Sequence, residues 1–444
     1  MDQNEYLSFT LGGRRLAECS RDMTGKLTIP DSVDNICCLA FEGWPDLTSI
    51  EIPSSVTDVD EGTFAYLNGL TEIIVDEGNP SFCAKDAFLY SKDMTELLRV
   101  PGDIESYVIP SHVKKINGAF GGCDYLTSIE IPNSVTEIGD HAFYQCDSLE
   151  SVKINDGVEI IGGWAFAGCQ NLRTIEIPGS VTKIESFAFD GCERLTDMVI
   201  PEGVTEIGIW AFHDCRSLSS INIPESMMEI GENAFTDCTG LTTIRIPSGV
   251  TRISPEAFSD CTGLKEIIVD EKNPHYCSRD GVLYSKDMTK ILWVPKDIET
   301  FAIPEGVKSI KGAFTDCDDL CWIMIPGSVN EIEVNAFRAC TGLTSAVILP
   351  GVMKICYFAF NFCISLTSID IPESVTEIDE FAFFMNYDIT AIHLRHKKPA
   401  NFSKAFRYLD LPSITLYVPW GSKQLYQRHR FYRKFGRIVA EKKN

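Results

Sequence analysis

From Leu126 onward the chain repeats a 23-residue pattern, L-T-S-I-E-I-P-N-S-V-T-E-I-G-D-H-A-F-Y-Q-C-D-S, in which apolar residues hold fixed places. Position 1 is Leu, positions 4 and 6 are mostly Ile, position 10 is Val, position 13 Ile, position 18 Phe and position 21 Cys. The frame recurs at Leu149, Leu172, Leu195, Leu218 and Leu241, and again at Leu320, Leu343 and Leu366. It fades at Ile389 and extends back through Leu47 to a first coil around Pro30. A unit this short cannot bury its apolar side alone and does so only by stacking on its neighbours, so the pattern predicts a solenoid. Apolar positions 4 and 6 around a polar position 5, as in Ile129-Glu130-Ile131, predict one half-buried strand per coil. The proline at position 7, for example Pro132, Pro178 and Pro201, cannot donate a ladder hydrogen bond and ends that strand. A second extended piece near position 13 and a helical or 3₁₀ turn over A-F-x-x-C are expected to close each of about 15 coils, with like residues piled in columns.

Twice the period is broken. From Leu70 to Tyr125 and from Leu264 to Asp319 the spacing grows to 56 residues, and the two segments are identical at 34 of 56 positions. The array therefore reads as a duplicated block. Within the insertions, 76–103 and 270–297, F-L-Y-S-K-D-M-T-E-L-L-R-V-P and V-L-Y-S-K-D-M-T-K-I-L-W-V-P predict two strands around a polar turn, a hairpin leaving the coil.

The unit L-x-x-I-x-I-P-x-x-V-x-x-I-x-x-x-A-F-x-x-C, with its V-D-E-x-N-P…L-Y-S-K-D-M-T…V-P-x-D insertion, resembles the BspA-like (Treponema pallidum type) leucine-rich repeats. The likeness covers nearly the whole chain, and Leu416-Tyr417-Val418-Pro419 with Gly421 and Tyr426 looks like that family's closing segment. The resemblance implies an α/β leucine-rich-repeat solenoid, right-handed, with curved parallel strands and short helical or 3₁₀ turns. It also implies a surface domain used for adhesion and protein binding, with no shared catalytic residues.

Composition narrows the partner. The chain has 444 residues, 39 Lys and Arg against 63 Asp and Glu, and a net charge of −24, so it is not built to coat nucleic acid or an anionic membrane along its length. No apolar run is long enough for a spanning helix. Met1 to Thr10 does not read as a signal peptide, which makes the cytoplasm the default compartment and the cell surface or secretion the alternative carried by the resemblance. Charge is uneven: residues 391–444 hold 13 Lys and Arg and only 2 Asp and Glu. There Gly421 to Phe435 predicts an amphipathic helix with Ser422 as N-cap and Leu425, Tyr426, Tyr432 and Phe435 as its buried side. The domain reading is an N-terminal cap at 1–27, the solenoid at 28–390 and a basic C-terminal cap at 391–444.

Ten of the 17 cysteines, from Cys123 to Cys363, follow the repeat. No C-x-x-C pair suggests zinc, and equal spacing encodes no unique disulfide, so the column reads as buried thiols packing as small hydrophobes. Cys19, Cys37, Cys38 and Cys321 fall outside it. The seven histidines share no spacing with a nucleophile, and no catalytic residue, metal or cofactor is expected. The outward position 5 carries an apolar run, Ile268, Ala302, Met324 and Val347, with Trp322 at the outward position 3 beside it. Outward Trp and Met in one patch predict a contact site for a protein partner, unless the 282–295 hairpin folds over them. The function expected is a non-catalytic, adhesin-like protein-binding scaffold. Its alternatives are an enzyme with a site near the hairpins or the basic segment, and electrostatic attachment to anionic membrane or nucleic acid through 391–444. Self-association by opposite charge is a further expectation.

Overall fold

The computed structural model describes residues 7–442 except 20–23, 39, 42–45, 66 and 68, so the first six residues of the signal-peptide reading lie outside it. The chain is a parallel-strand β-solenoid of about 18 turns, three more than the repeat count predicts. It packs as two compact units, Met1–Leu241 with Gly249–Cys261, and Thr242–Ser248 with Thr262–Asn444.

In the first unit most coils give two strands. The longer ones, such as Ser128–Ile131, Ser151–Ile154 and Thr174–Glu176, pair in parallel with Ile129 opposite Val152 and Val152 opposite Ile175. The two-residue strands at positions 12 and 13 form a longer ladder, Lys115–Ile116 through Glu137–Ile138 to Arg252–Ile253. The A-F-x-x-C stretch is not a helix. Successive i to i−3 turns form there, for example Tyr144 N–H to His141 O at 3.1 Å and Cys146 N–H to Phe143 O at 3.3 Å. They cannot run on as a helix, because positions 16 and 20 are left-handed: His141, Trp164, Phe187 and Trp210 have φ between 57° and 60°, and Gln145 has φ 52°. Freed from a helix, the N–H groups reach the next coil, as Phe143 N–H does to Ala165 O at 2.7 Å and Gln145 N–H to Ala167 O at 2.7 Å. The turns thus make a third hydrogen-bonded row along the stack.

Columns form as the repeat requires. Phe143, Phe166 and Phe189 stack with ring centroids 5.1 and 5.4 Å apart and planes within 4°. All three are fully buried. In the second unit Phe337, Phe360 and Phe383 stack likewise at 5.1 and 5.7 Å.

The insertion is a three-stranded meander, Phe82–Lys85, Phe88–Ser91 and Glu96–Arg99, not a hairpin leaving the coil. Its last strand joins the short-strand ladder, with Leu97 beside Ile116. The N-P motif explains the docking: buried Asn79 donates from Nδ2 to Pro53 O (2.7 Å) and Val56 O (2.9 Å), and its Oδ1 accepts from Ser81 and Phe82 N–H. Gly121 lets the chain return closely, since a Cβ there would lie 2.4 Å from Ala65 O. The wholly buried Arg99 guanidinium donates to Gly121 O and Leu67 O, and burial pulls its pKa down. In the second unit the corresponding residue is Trp293.

Residues 391–444 carry the extra coils. Ala391–Leu394, Thr415–Val418 and Arg437–Ala440 continue one seven-stranded parallel sheet, with Ile392 beside Leu416 and Leu416 beside Ile438. The expected helix is six residues long, Lys423–Arg428. Ser422 does not cap it: its hydroxyl donates to Lys397 O at 2.8 Å, because Tyr426 and Tyr432 are drawn the same way, to His396 O, Lys398 O and Ala400 O. Tyr426, Tyr432 and Phe435 are buried, while Leu425 is exposed.

Candidate functional site

The five residues singled out for binding all belong to the second unit. Strand Trp322–Ile325 lies between Thr300–Ala302 and Ser345–Ile348, and the pairing puts Ala302 beside Met324 and Met324 beside Val347. Trp322 stands two residues before Met324 and so on the same face. Ala302 is exposed, and Trp322, Met324 and Val347 are half-buried, while Ile323 and Ile325, on the opposite side of the same strand as Trp322 and Met324, are fully buried.

Ile268 is not part of that row. Its strand, Glu266–Val269, pairs with Thr243–Ile246, and the insertion meander takes its other side: Ile267 N–H donates to Gly281 O and Val269 N–H to Ser278 Oγ, both at 3.0 Å. The meander thus covers the edge of one predicted residue's strand and leaves the other four together.

Beyond Val347 the row turns polar. It continues through Asp370, His393 and Tyr417, the His393 ring stacked on Tyr417 at 4.4 Å. Arg395 bridges Asp370 and Glu441, and His393 Nδ1 lies 2.7 Å from Glu441 Oε1. Bonding to Asp370 is the main reason that the Arg395 pKa is raised. An apolar row with a charged rim is the anatomy of a contact surface.

Two features escaped the sequence reading. At position 16 of the first unit a ladder of His141, Trp164, Phe187 and Trp210 stacks in planes within 6° of one another, with centroids 6.2, 4.0 and 6.2 Å apart. Left-handed backbone costs such residues about 1–2 kcal/mol each, and stacking returns about 0.5–1.5 kcal/mol per pair. The aromatic recurrence at one repeat position was the available signal. The second is an open groove of about 650 Å³ over Ser128, Glu130, Ser151, Lys153, Thr174 and Glu176, walled by Ser106–Val108. Segment 106–108 is the counterpart of Thr300–Ala302 but forms no strand. Its Tyr107 stacks on Phe88 at 4.8 Å and meets Tyr90 hydroxyl to hydroxyl at 2.8 Å, contacts that Phe301 and Val282 cannot copy. In the groove Lys153 and Asn155 donate to Glu130 at 2.9 and 2.8 Å and hold its carboxyl below the usual range.

The cysteine column is buried, and its thiols have a further role. Cys146, Cys169, Cys192, Cys215, Cys238 and Cys261 each donate to the carbonyl of the Phe 26 residues earlier, at 2.9–3.2 Å. Burial pushes the thiol pKa values of Cys146, Cys169, Cys192, Cys215 and Cys238 up, and that of Cys317 in the second unit up to about 12.

The basic C-terminal segment keeps Lys423, Arg428, Arg430, Arg433, Lys434 and Arg437 exposed. No helix among the described residues is long and apolar enough to cross a membrane.

The chain matches the BspA type leucine rich repeat region over residues 17–98, 99–207, 182–302 and 290–411. It is similar to a leucine rich cell surface protein from Faecalibacterium prausnitzii, 32% identical with TM-score 0.62, over 82% of this chain and 96% of that one. A leucine-rich repeat protein from Bacteroides ovatus (24% identity, TM-score 0.55, 82% and 98% of the chains) has the same fold. So does the pneumococcal vaccine antigen PcpA (18% identity, TM-score 0.53, 98% and 96%). No curated protein matches the chain significantly.

Proposed function

Since the chain belongs to the BspA-type leucine-rich-repeat family, we propose that it is a non-catalytic, adhesin-like protein-binding scaffold whose contact surface centres on Trp322 and Met324. The observation that carries this reading is the in-register row Ala302, Met324, Val347, flanked by Trp322 and closed by the Asp370, Arg395, Glu441 and His393 rim. Large apolar side chains left on a solvent face and bordered by charge on one side favour a protein partner over a small molecule. Ile268 stands apart and is peripheral to this surface.

The cell surface is the proposed location, on the strength of the Faecalibacterium relative, against the cytoplasmic default. Protease shaving of intact native cells separates the two: loss of the protein supports the surface, and full protection supports the cytoplasm. For the partner, purified full-length protein is bound to surface proteins of the cells it meets, alongside the Trp322→Ala/Met324→Ser variant. The proposal expects binding to fall at least about 10-fold, the cost of about 1.4 kcal/mol. Equal binding by the folded variant would remove it.

The exposed cations of the C-terminal segment favour a second reading, electrostatic attachment to an anionic surface or to the acidic body of another copy. Retention on anionic vesicles, or self-association, that vanishes at high salt is its signature.

A further inference from the structure

Cys37, Cys38 and Asp60 each bring one ligand atom, two sulfurs and a carboxylate oxygen, to within 4.8 Å of one another. All three residues are half-buried. Their meeting follows from the ladder. Asn35–Ile36 pairs in parallel with Asp58–Val59, so the residues that leave these strands, Cys37 and Asp60, emerge side by side one coil apart. On the other flank Arg15–Leu16 pairs with the same Asn35–Ile36, which delivers a guanidinium to the cluster. Asp60 is fixed by three donors: Arg15 at 2.5 Å and Cys38 N–H at 3.3 Å on Oδ2, and Asn35 Nδ2 at 3.5 Å on Oδ1.

We propose that Cys37, Cys38 and Asp60 form a binding site for a thiophilic divalent cation of the zinc class, with water as the fourth ligand. Two sulfurs and one oxygen suit a borderline-soft ion that accepts four ligands, whereas calcium and magnesium take oxygen alone. Charge closes as well. Two thiolates and a carboxylate carry three negative charges, and the cation with Arg15 supplies three positive. Arg15 and Asn35 act as positioning residues that orient the Asp60 carboxylate, as outer partners of metal-bound carboxylates do. Binding releases both thiol protons, so affinity rises with pH. The ion would tie two successive coils together beside the N-terminal strands.

The test uses the full chain, reduced and freed of metal by a chelator, titrated with Co²⁺ and then Zn²⁺. The site predicts one equivalent of Co²⁺ with a sulfur-to-metal charge-transfer band and tetrahedral visible absorption, both displaced by Zn²⁺. Cys37→Ser and Cys38→Ser are each expected to weaken binding at least 100-fold, and Arg15→Gln about 10-fold, in the range of outer-partner losses. Cys321→Ser, which alters an exposed thiol elsewhere, should change nothing. A band that is absent, that survives both cysteine substitutions, or that is lost equally with Cys321→Ser overturns the proposal. Should a variant fail to fold, X-ray absorption on the zinc-loaded wild-type protein decides: two sulfur neighbours support the site, and a shell without them overturns it.

Discussion

Asn386 Nδ2 lies 2.7 Å from the carbonyl oxygen of Phe360, in the place where other coils present a cysteine thiol to the equivalent phenylalanine carbonyl. In the same unit Cys340 meets Phe314 O and Cys363 meets Phe337 O at 3.0 Å. Position 21 therefore places a small buried donor on the phenylalanine carbonyl of the coil before, which in most coils also accepts a turn N–H of its own coil, as Phe143 O does from Cys146, and both Cys and Asn supply one.

That equivalence predicts a contrast at one residue. Asn386→Ala leaves the buried Phe360 carbonyl unpaired and should lower the stability of its unit by about 1–3 kcal/mol, whereas Asn386→Cys should recover most of the loss. Denaturant unfolding of the three proteins measures it. Equal stability for the Ala and Cys variants would show that the hydrogen bond carries nothing.

Thiol chemistry follows the same division. Burial raises the pKa values of Cys146, Cys169 and Cys215 and closes off access, so a native-state alkylation time course at mild alkaline pH should label exposed Cys321 first and leave those three unlabelled. Mass mapping of the labelled peptides reads the order. Early labelling of the column would mean that coils open locally.

The phenylalanine stack is the main apolar column, and Phe166→Ala should cost about 3–5 kcal/mol, as large-to-small changes at wholly buried aromatics do. Because each coil leans on its neighbours, hydrogen exchange should quicken most in the coils next to the cavity and fade with distance along the stack.

At the meander turn Asp287 accepts hydrogen bonds from Ser285 Oγ (2.7 Å), Thr289 N–H (3.0 Å) and Thr289 Oγ1 (2.8 Å), which lower its pKa from 3.8 to about 2. The sign is that of a depressed carboxylate. The turn gains its stabilisation fully above the unfolded pKa near 4 and loses it as pH falls through about 2. An NMR titration of the Thr289 amide should hold its position down to pH 4 and move with a midpoint near 2. A midpoint at the ordinary carboxylate value would break the assignment.

How far these features were legible depends on whether they lie along the chain or across coils. Phe143, Phe166 and Phe189 declare themselves by spacing, and the outward row Ala302, Met324, Val347 follows from the same frame. The turn over A-F-x-x-C reads as helical or 3₁₀, and the folded chain keeps the i to i−3 bonds of the second without forming a helix. Position 20 is Gly or Asp in most coils, as at Gly168, Gly191, Asp214, Asp237 and Asp260, and position 16 is Asn at Asn233 and Asn335, a left-handed signal diluted by the His, Trp and Phe that other coils carry at position 16. The last two coils hid because Leu416 and Ile438 keep the strand pattern while the rest of the unit changes. Ser422 looked like a cap, and only the folded chain shows Lys397 O competing for its hydroxyl. Ile268 fell outside the apolar row because the insertion, which reads as a hairpin leaving the coil, folds back as a meander and takes the edge of its strand.

The most direct measurement of the functional account is hydrogen exchange of the full chain with and without its bound partner. Slowed exchange at Thr300–Ala302, Trp322–Ile325 and Ser345–Ile348, lost in the Trp322→Ala/Met324→Ser protein, is the predicted result. Protection confined to the groove strands Ser128–Ile131 and Ser151–Ile154, or to Lys423–Arg428, would contradict it.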